Sequence, residues 1–398
     1  MNPFPIVKTL YDSNRATILL FIGLVALAVA LGVAVSAQER ALRQGSARAA
    51  DRFDLIVAAP GSQTDILMNV VYLQPSAVEL LAPETVARLL AEPKATLAAP
   101  IAFGDSVAGF SVVGTTAAFV DRLSGPLAEG RSFAAETEAV VGFASPYPMG
   151  ATLRPAHGHG AAAEGPHDSR LMVVGRMART GTPWDTAIVV PVEQNWRVHG
   201  LPTGHPPGET RIGPPFDSAF LPGVPAVVLS PDTVPSAYGL RSAYRSEVTT
   251  AFFPAEVLVQ LYAVLGDMRS VMDILTFTTQ LLVVAAILAG LMALIQLQTE
   301  RLAVLRALGA SRWYIFAVVW TGVTAMIAIG SVIGILIGYG LAQILSIVIT
   351  RETGIAMTPT LGKPELILAA LVVAVGGLVA LLPAALLHRR PLAETLRG

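Results

Sequence analysis

Four long apolar stretches constrain what this chain of 398 residues can fold into more than any other feature: residues 17–37, 271–298, 314–350 and 366–387. Crossing the hydrocarbon core of a bilayer takes about 20 helical residues. Each stretch is long enough, and buried helices of soluble proteins rarely run that far without charge. The expected fold class is therefore a membrane protein with four transmembrane α-helices. The only charge inside any stretch is Asp273, near one end of the second, so a charge-lined ion pathway is not expected. Between the first two stretches the chain changes character. Of the 55 charged residues, 39 fall within residues 38–270. A large domain is thus expected to be inserted between helices 1 and 2.

The short flanks set the orientation. Lys8 and Arg15, then Arg301, Arg306 and Arg312, then Arg389, Arg390 and Arg397 share one side of a four-span protein. By the positive-inside rule that side is cytoplasmic, with both termini, and residues 38–270 are external. Val35-Ser36-Ala37 is similar to a signal cleavage site. An uncharged run of this length is nevertheless longer than the 7 to 15 residues or so of a signal core and reads as a span. The expected division is 1–37 for the lead-in and first span, 38–270 for the external domain, and 271–398 for the remaining spans. Within the last region lie a coupling loop at 299–312 and a cytoplasmic tail.

Composition excludes several function classes. The charged fraction is 14% and the net charge −1, with 6 histidines and no cysteine. No global positive field exists to attract nucleic acid, and thiolate catalysis, disulfides and Cys-ligated zinc are absent. In the external domain, β-rich runs bounded by turn residues lie at 54–58, 110–113, 139–143, 171–174, 187–190 and 226–229. Helical patches open at Pro83 and Pro254, which suggests an α+β module. The proline-rich segment 201–235 reads as an extended surface insertion.

Residues 298–315, QTERLAVLRALGASRWYI, carry local chemistry of their own. Leu302, Leu305 and Leu308 form an apolar stripe beside Arg301 and Arg306. Gly309 can end that helix in the left-handed conformation, and Ser311 can cap the next, with Trp313 and Tyr314 as interfacial anchors. The plain reading is a helical hairpin on the cytoplasmic face. The stretch Glu300-Arg301 followed by residues 305–312, LRALGASR, however, resembles the signature of FtsX/MacB-type ABC transporter permeases, the mechanotransmission or type VII class. The opening Asn2-Pro3-Phe4 and the closing residues 383–397 are similar to the family's ends, and residues 53–72 resemble a MacB-like subgroup.

The resemblance implies a permease subunit of an inner-membrane ABC system in a bacterium, working as a homodimer docked on a separate cytoplasmic ATPase. Glu300, Arg301, Leu305, Arg306, Leu308, Gly309 and Arg312 would form the coupling knob. ATP and its magnesium would belong to the ATPase, and motion would pass to the periplasmic domain for export, lipoprotein or peptide handling, or activation of a periplasmic or outer-membrane partner. A non-transporting sensor or scaffold, signalling metal or peptide occupancy to a partner, is the alternative. The residues agree with a separate ATPase. A phosphate-binding P-loop needs a Gly-Lys-Ser/Thr end, and the only Gly-Lys, Gly362-Lys363, is followed by Pro364. The chain is accordingly not expected to be an enzyme.

Two patterns remain. Gly330, Gly334 and Gly338 recur every fourth residue in the third span, a smooth strip for another helix of the same chain or for a dimer mate. Five histidines lie between 157 and 205, most tightly in HGHGAAAEGPHD, residues 157–168. This stretch reads as a hairpin tip on which His157 and His159 face one way and His167 returns beside them, with Glu164 or Asp168 as a fourth ligand. Such a set suits zinc, copper or nickel, whereas a glycine-rich solvated loop is the plainer reading. His199, beside Trp196 and Arg197, reads as structural.

Overall fold

The computed structural model describes residues 15–74, 76–158, 169–263, 304–305 and 308–381. The chain divides into two compact units: Met1–Leu42 with Gly266–Val348 and Met357–Gly398, and Arg43–Leu265 with Ile349–Ala356. The expected second span at 271–298 and the closing motif at 383–397 lie outside the described residues.

The elements in chain order are α1 (Arg15–Ala50), β1 (Leu55–Ala58), α2 (Gln63–Val70), α3 (Pro83–Leu90), β2 (Ala95–Val107), β3 (Phe110–Thr115), α4 (Ala117–Ser124), β4 (Glu129–Gly130), β5 (Glu138–Val141), β6 (Thr152–Leu153), β7 (Ala156–His157), β8 (Leu171–Arg176), β9 (Ile188–Pro191), α5 (Val192–Val198), β10 (Ala226–Pro231), α6 (Val234–Ala243), β11 (Thr250–Phe252), α7 (Arg312–Thr353) and α8 (Lys363–Val379).

In the first unit the described helices α1, α7 and α8 pack through Val25, Val29 and Val33, Val323, Met326 and Ile327, and Ala369 respectively. Their other faces leave Leu20, Leu27, Leu336, Ile344 and Ile367 exposed, an arrangement suited to lipid. Among the described residues, α1 and α7 are long and apolar enough to cross a membrane. At 42 residues, α7 extends about 60 Å, longer than a bilayer core is thick, as its uncharged run implies. Near one end of these helices Glu365, fully buried, accepts hydrogen bonds from Ser36 Oγ at 2.7 Å and Arg40 Nη2 at 2.8 Å. Ser346 Oγ donates to Gln38 Oε1 at 2.9 Å in the same region.

The second unit is built on a mixed sheet, ordered β11-β1-β10-β2-β3-β9-β5-β8-β4 among the described residues. Pairs β3·β9 and β5·β8 are parallel and the others antiparallel. Alternate residues of β1 enter opposite cores: Ile56 and Ala58 pack with Phe53, Phe119 and Trp184, whereas Leu55 and Val57 pack with Leu89, Val227 and Trp196. A strand covered on both faces is apolar at every position, and this is why LIVA and AVVL were readable as strands. Trp184 is the hub of the first core, with ring centroids 5.6 Å from Phe119 and 6.1 Å from Phe53, and its indole N–H donates to Val70 O.

Each of the six expected strands is present, as is the helix opening at Pro83. Segment 201–235 differs from expectation. It is no surface insertion throughout: Val224 is buried, His205 is 3% exposed, and Ala226–Pro231 is a central strand between β1 and β2. Proline density described its first half only, where a cis bond joins Pro214 and Pro215. The long strand β2 carried no sequence signal, because Pro100 and Gly104 interrupt its pattern.

Candidate functional site

At the C-terminal end of β2 two histidines meet a buried carboxylate. The two-residue strand β7 pairs antiparallel with β2, His157 opposite Asp105 and Ala156 opposite Ser106. Directly opposed residues project to the same face. His157 Nδ1 accordingly lies 3.0 Å from Asp105 Oδ1. Two further bonds fix this register: Ser106 Oγ donates to Gly158 O at 2.6 Å and Gly158 N to Gly104 O at 3.0 Å. Pairing of β2 with β3 shifts register between Ala102 and Asp105, an irregularity of the kind that re-aims side chains.

His199 arrives from α5. That helix approaches β3 closely because Gly114 has no side chain; a Cβ there would sit 2.8 Å from Asn195 Cβ. Trp196, 1% exposed, anchors α5 in the second core. His199 follows the last turn, its Nδ1 2.7 Å from Asn195 O. A carbonyl only accepts, so Nδ1 carries the hydrogen, and in the neutral ring Nε2 carries the lone pair. Nε2 stands 3.7 Å from Asp105 Oδ1, and the two imidazole centroids are 4.9 Å apart. Gly104, with φ 146°, makes room for that ring: a Cβ would fall 3.0 Å from His199 Nε2. The Asp105 side chain is 3% exposed, those of His157 and His199 40% and 26%. One ligand atom from each of the three residues lies within 4.8 Å of the other two.

Of the expected ligand group, His157 is described, whereas His159, His167 and Asp168 lie outside the described residues. The hairpin base is as expected, β6 pairing β8 with Leu153 opposite Leu171. Beyond it the chain turns to β2, which gives His157 partners that sequence reasoning missed. His199 belonged to the visible histidine cluster, but nothing local marked Asp105. A cleft of about 540 Å³ opens nearby, with Gly104, Gly158, Asn69 and Ser76 among its lining residues; the three side chains do not line it.

Of the coupling knob, Leu305, Leu308 and Gly309 are described, while Glu300, Arg301 and Arg306 lie outside the described residues. Gly309 adopts φ 98°, and Ala310 N donates to Leu305 O at 3.1 Å, the outer bond of a Schellman C-cap. Ser311 then caps α7, its Oγ accepting from Tyr314 N at 3.2 Å, with Arg312 as the first helical residue. Leu308 and Trp313 are 79% and 72% exposed, two apolar side chains beside this turn. The glycine strip is used within the chain. Cβ atoms at Gly330, Gly334 and Gly338 would fall 2.8 Å from Val25 Cβ, 2.7 Å from Ala26 O and 2.5 Å from Ala30 O, all on α1.

Comparison with known proteins adds the following. Residues 274–392 match the model of the FtsX-like permease C-terminal family. The periplasmic region of MacB from Actinobacillus actinomycetemcomitans is similar in structure, at 12% identity and a TM-score of 0.31, over 52% of this chain and 92% of that one. The extracellular domain of the noncanonic ABC-type transporter YknZ from Gram-positive bacteria is similar at 10% identity and a TM-score of 0.30, over 50% and 98%. No curated protein matches the chain. The resemblance carried by residues 305–312 thus falls within the segment 274–392 that is similar to the FtsX-like permease C-terminal family.

Proposed function

We propose that this chain is the permease subunit of an inner-membrane ABC system, passing motion from ATP hydrolysis in a separate cytoplasmic ATPase to its own external domain. The observation that carries the reading is the family match over residues 274–392. Supporting it is the division of the chain into an apolar helical unit and a sheet unit with cores of its own. In this reading four helices span the membrane, the sheet unit is inserted between the first two, and the subunit works as a homodimer. The face bearing Gly330, Gly334 and Gly338 is occupied by α1, so a dimer mate would use another.

The ATPase would dock on the knob at 299–312, where Leu308 and the adjoining Trp313 offer apolar surface. Leu308→Glu tests this. An exposed position tolerates substitution within about 0.5 kcal/mol, so the variant should fold as the parent does. Co-purified with its ATPase and assayed for ATP turnover, it should lose most of the permease-dependent component. Parental turnover in a complex of parental stoichiometry would mean that the knob is a plain hairpin.

A further inference from the structure

We propose that Asp105, His157 and His199 form a binding site for one divalent transition-metal ion of the zinc class. The site stands on the geometry of the second unit alone and does not depend on the permease reading. A tetrahedral ion with bonds of about 2.0–2.1 Å holds its ligand atoms about 3.3 Å apart. Here the separations from Asp105 Oδ1 are 3.0 Å to His157 Nδ1 and 3.7 Å to His199 Nε2, values that straddle that figure. Two imidazoles and one carboxylate are a donor set that zinc and its neighbours favour over hard cations.

The hydrogen bonding of His199 points the same way. With Nδ1–H committed to Asn195 O, a neutral ring turns an Nε2 lone pair toward a carboxylate oxygen at 3.7 Å. The Asn195 carbonyl orients the ring as outer-shell partners of metal-bound histidines do. The carboxylate is buried and both rings reach solvent, so the ion has an entry path, and a water can complete the shell.

The test is calorimetric titration of zinc chloride into the full chain in non-ionic detergent after chelator treatment, with cobalt(II) absorption as a second readout. One ion per chain is expected. Asp105→Asn and His199→Gln should each weaken binding more than tenfold and alter the cobalt spectrum. A His159→Ala, His167→Ala double variant should bind as the parent does. The deciding variant is His199→Gln, whose partly exposed position keeps the fold intact even if Asp105→Asn fails to fold. Absence of saturable binding in the parent, or parental affinity in His199→Gln, would overturn the site.

Discussion

Glu138 is a carboxylate whose ionisation is part of the fold. Its side chain, about nine-tenths buried, accepts hydrogen bonds from both terminal nitrogens of Arg131 and from Ala134 N at 2.8 Å. The Arg131 guanidinium is the largest influence and, with the backbone donor, lowers the carboxyl from its ordinary value near 4.5 to about 2 despite the opposing effect of burial. A carboxylate with a depressed folded-state pKa adds stability that is fully present above its unfolded value and fades as pH falls toward the folded one. The parent should therefore lose Tm between about pH 4.5 and about pH 2, read by tryptophan fluorescence in detergent. Glu138→Gln should flatten that part of the curve and cost about 1 kcal/mol near neutrality, an ion-pair value discounted for the exposure of Arg131. An unchanged acid limb in the variant would assign the loss to other groups. The sequence offered no hint of this pair. Glu138 opens β5 and Arg131 follows β4, and only the folding of the segment between them brings the two charges together.

Helix α7 shows what an element's sequence reveals and what it conceals. Gly330, Gly334 and Gly338 were visible as a strip at four-residue spacing, but spacing alone left the occupant open between α1 and a dimer mate. The structure seats Val25, Ala26, Val29, Ala30 and Val33 against it, with backbone carbonyls of α1 near enough to bar a side chain. A Cβ at Gly334 would lie 2.7 Å from both Ala26 O and Val29 Cβ. Backbone cannot yield as a long side chain can, so Gly334→Val should cost at least about 1–3 kcal/mol through overpacking. Gly340, with open space around its Cβ position, should accept valine with little loss and serves as the control. Thermal unfolding of both variants in detergent decides the matter, and equal Tm values would mean that the α1–α7 seam is loose. The same contrast runs through the sheet. Strands β1 and β10 were legible because burial on both faces makes every position apolar, whereas β2, with Pro100 and Gly104, was not. The candidate metal site suffered twice over. Asp105 lies on the strand that was hardest to read, and its pairing with His157 spans 52 residues that local periodicity does not join.

At the scale of the whole molecule, the topology turns on how many times the chain crosses the bilayer between the sheet unit and α7. The expected second span lies outside the described residues. The chain contains no cysteine, so single introduced thiols report their side of the membrane against a silent background. Three positions suffice. Val234 on α6 is 72% exposed, Leu308 before α7 is 79% exposed, and Leu361 after it is 42% exposed. If α7 crosses once, Leu308→Cys and Leu361→Cys must label from opposite sides. If residues 271–298 also cross, Val234→Cys must share the side of Leu361→Cys. A membrane-impermeant maleimide on intact spheroplasts should then label Val234→Cys and Leu361→Cys, and reach Leu308→Cys only after permeabilisation. Labelling of Val234→Cys and Leu308→Cys from the same side would remove the second span and place the sheet unit beside the knob's membrane face. In that case residues 299–312 could no longer meet a cytoplasmic ATPase while the sheet unit works outside, and the transmission reading would fail with the topology.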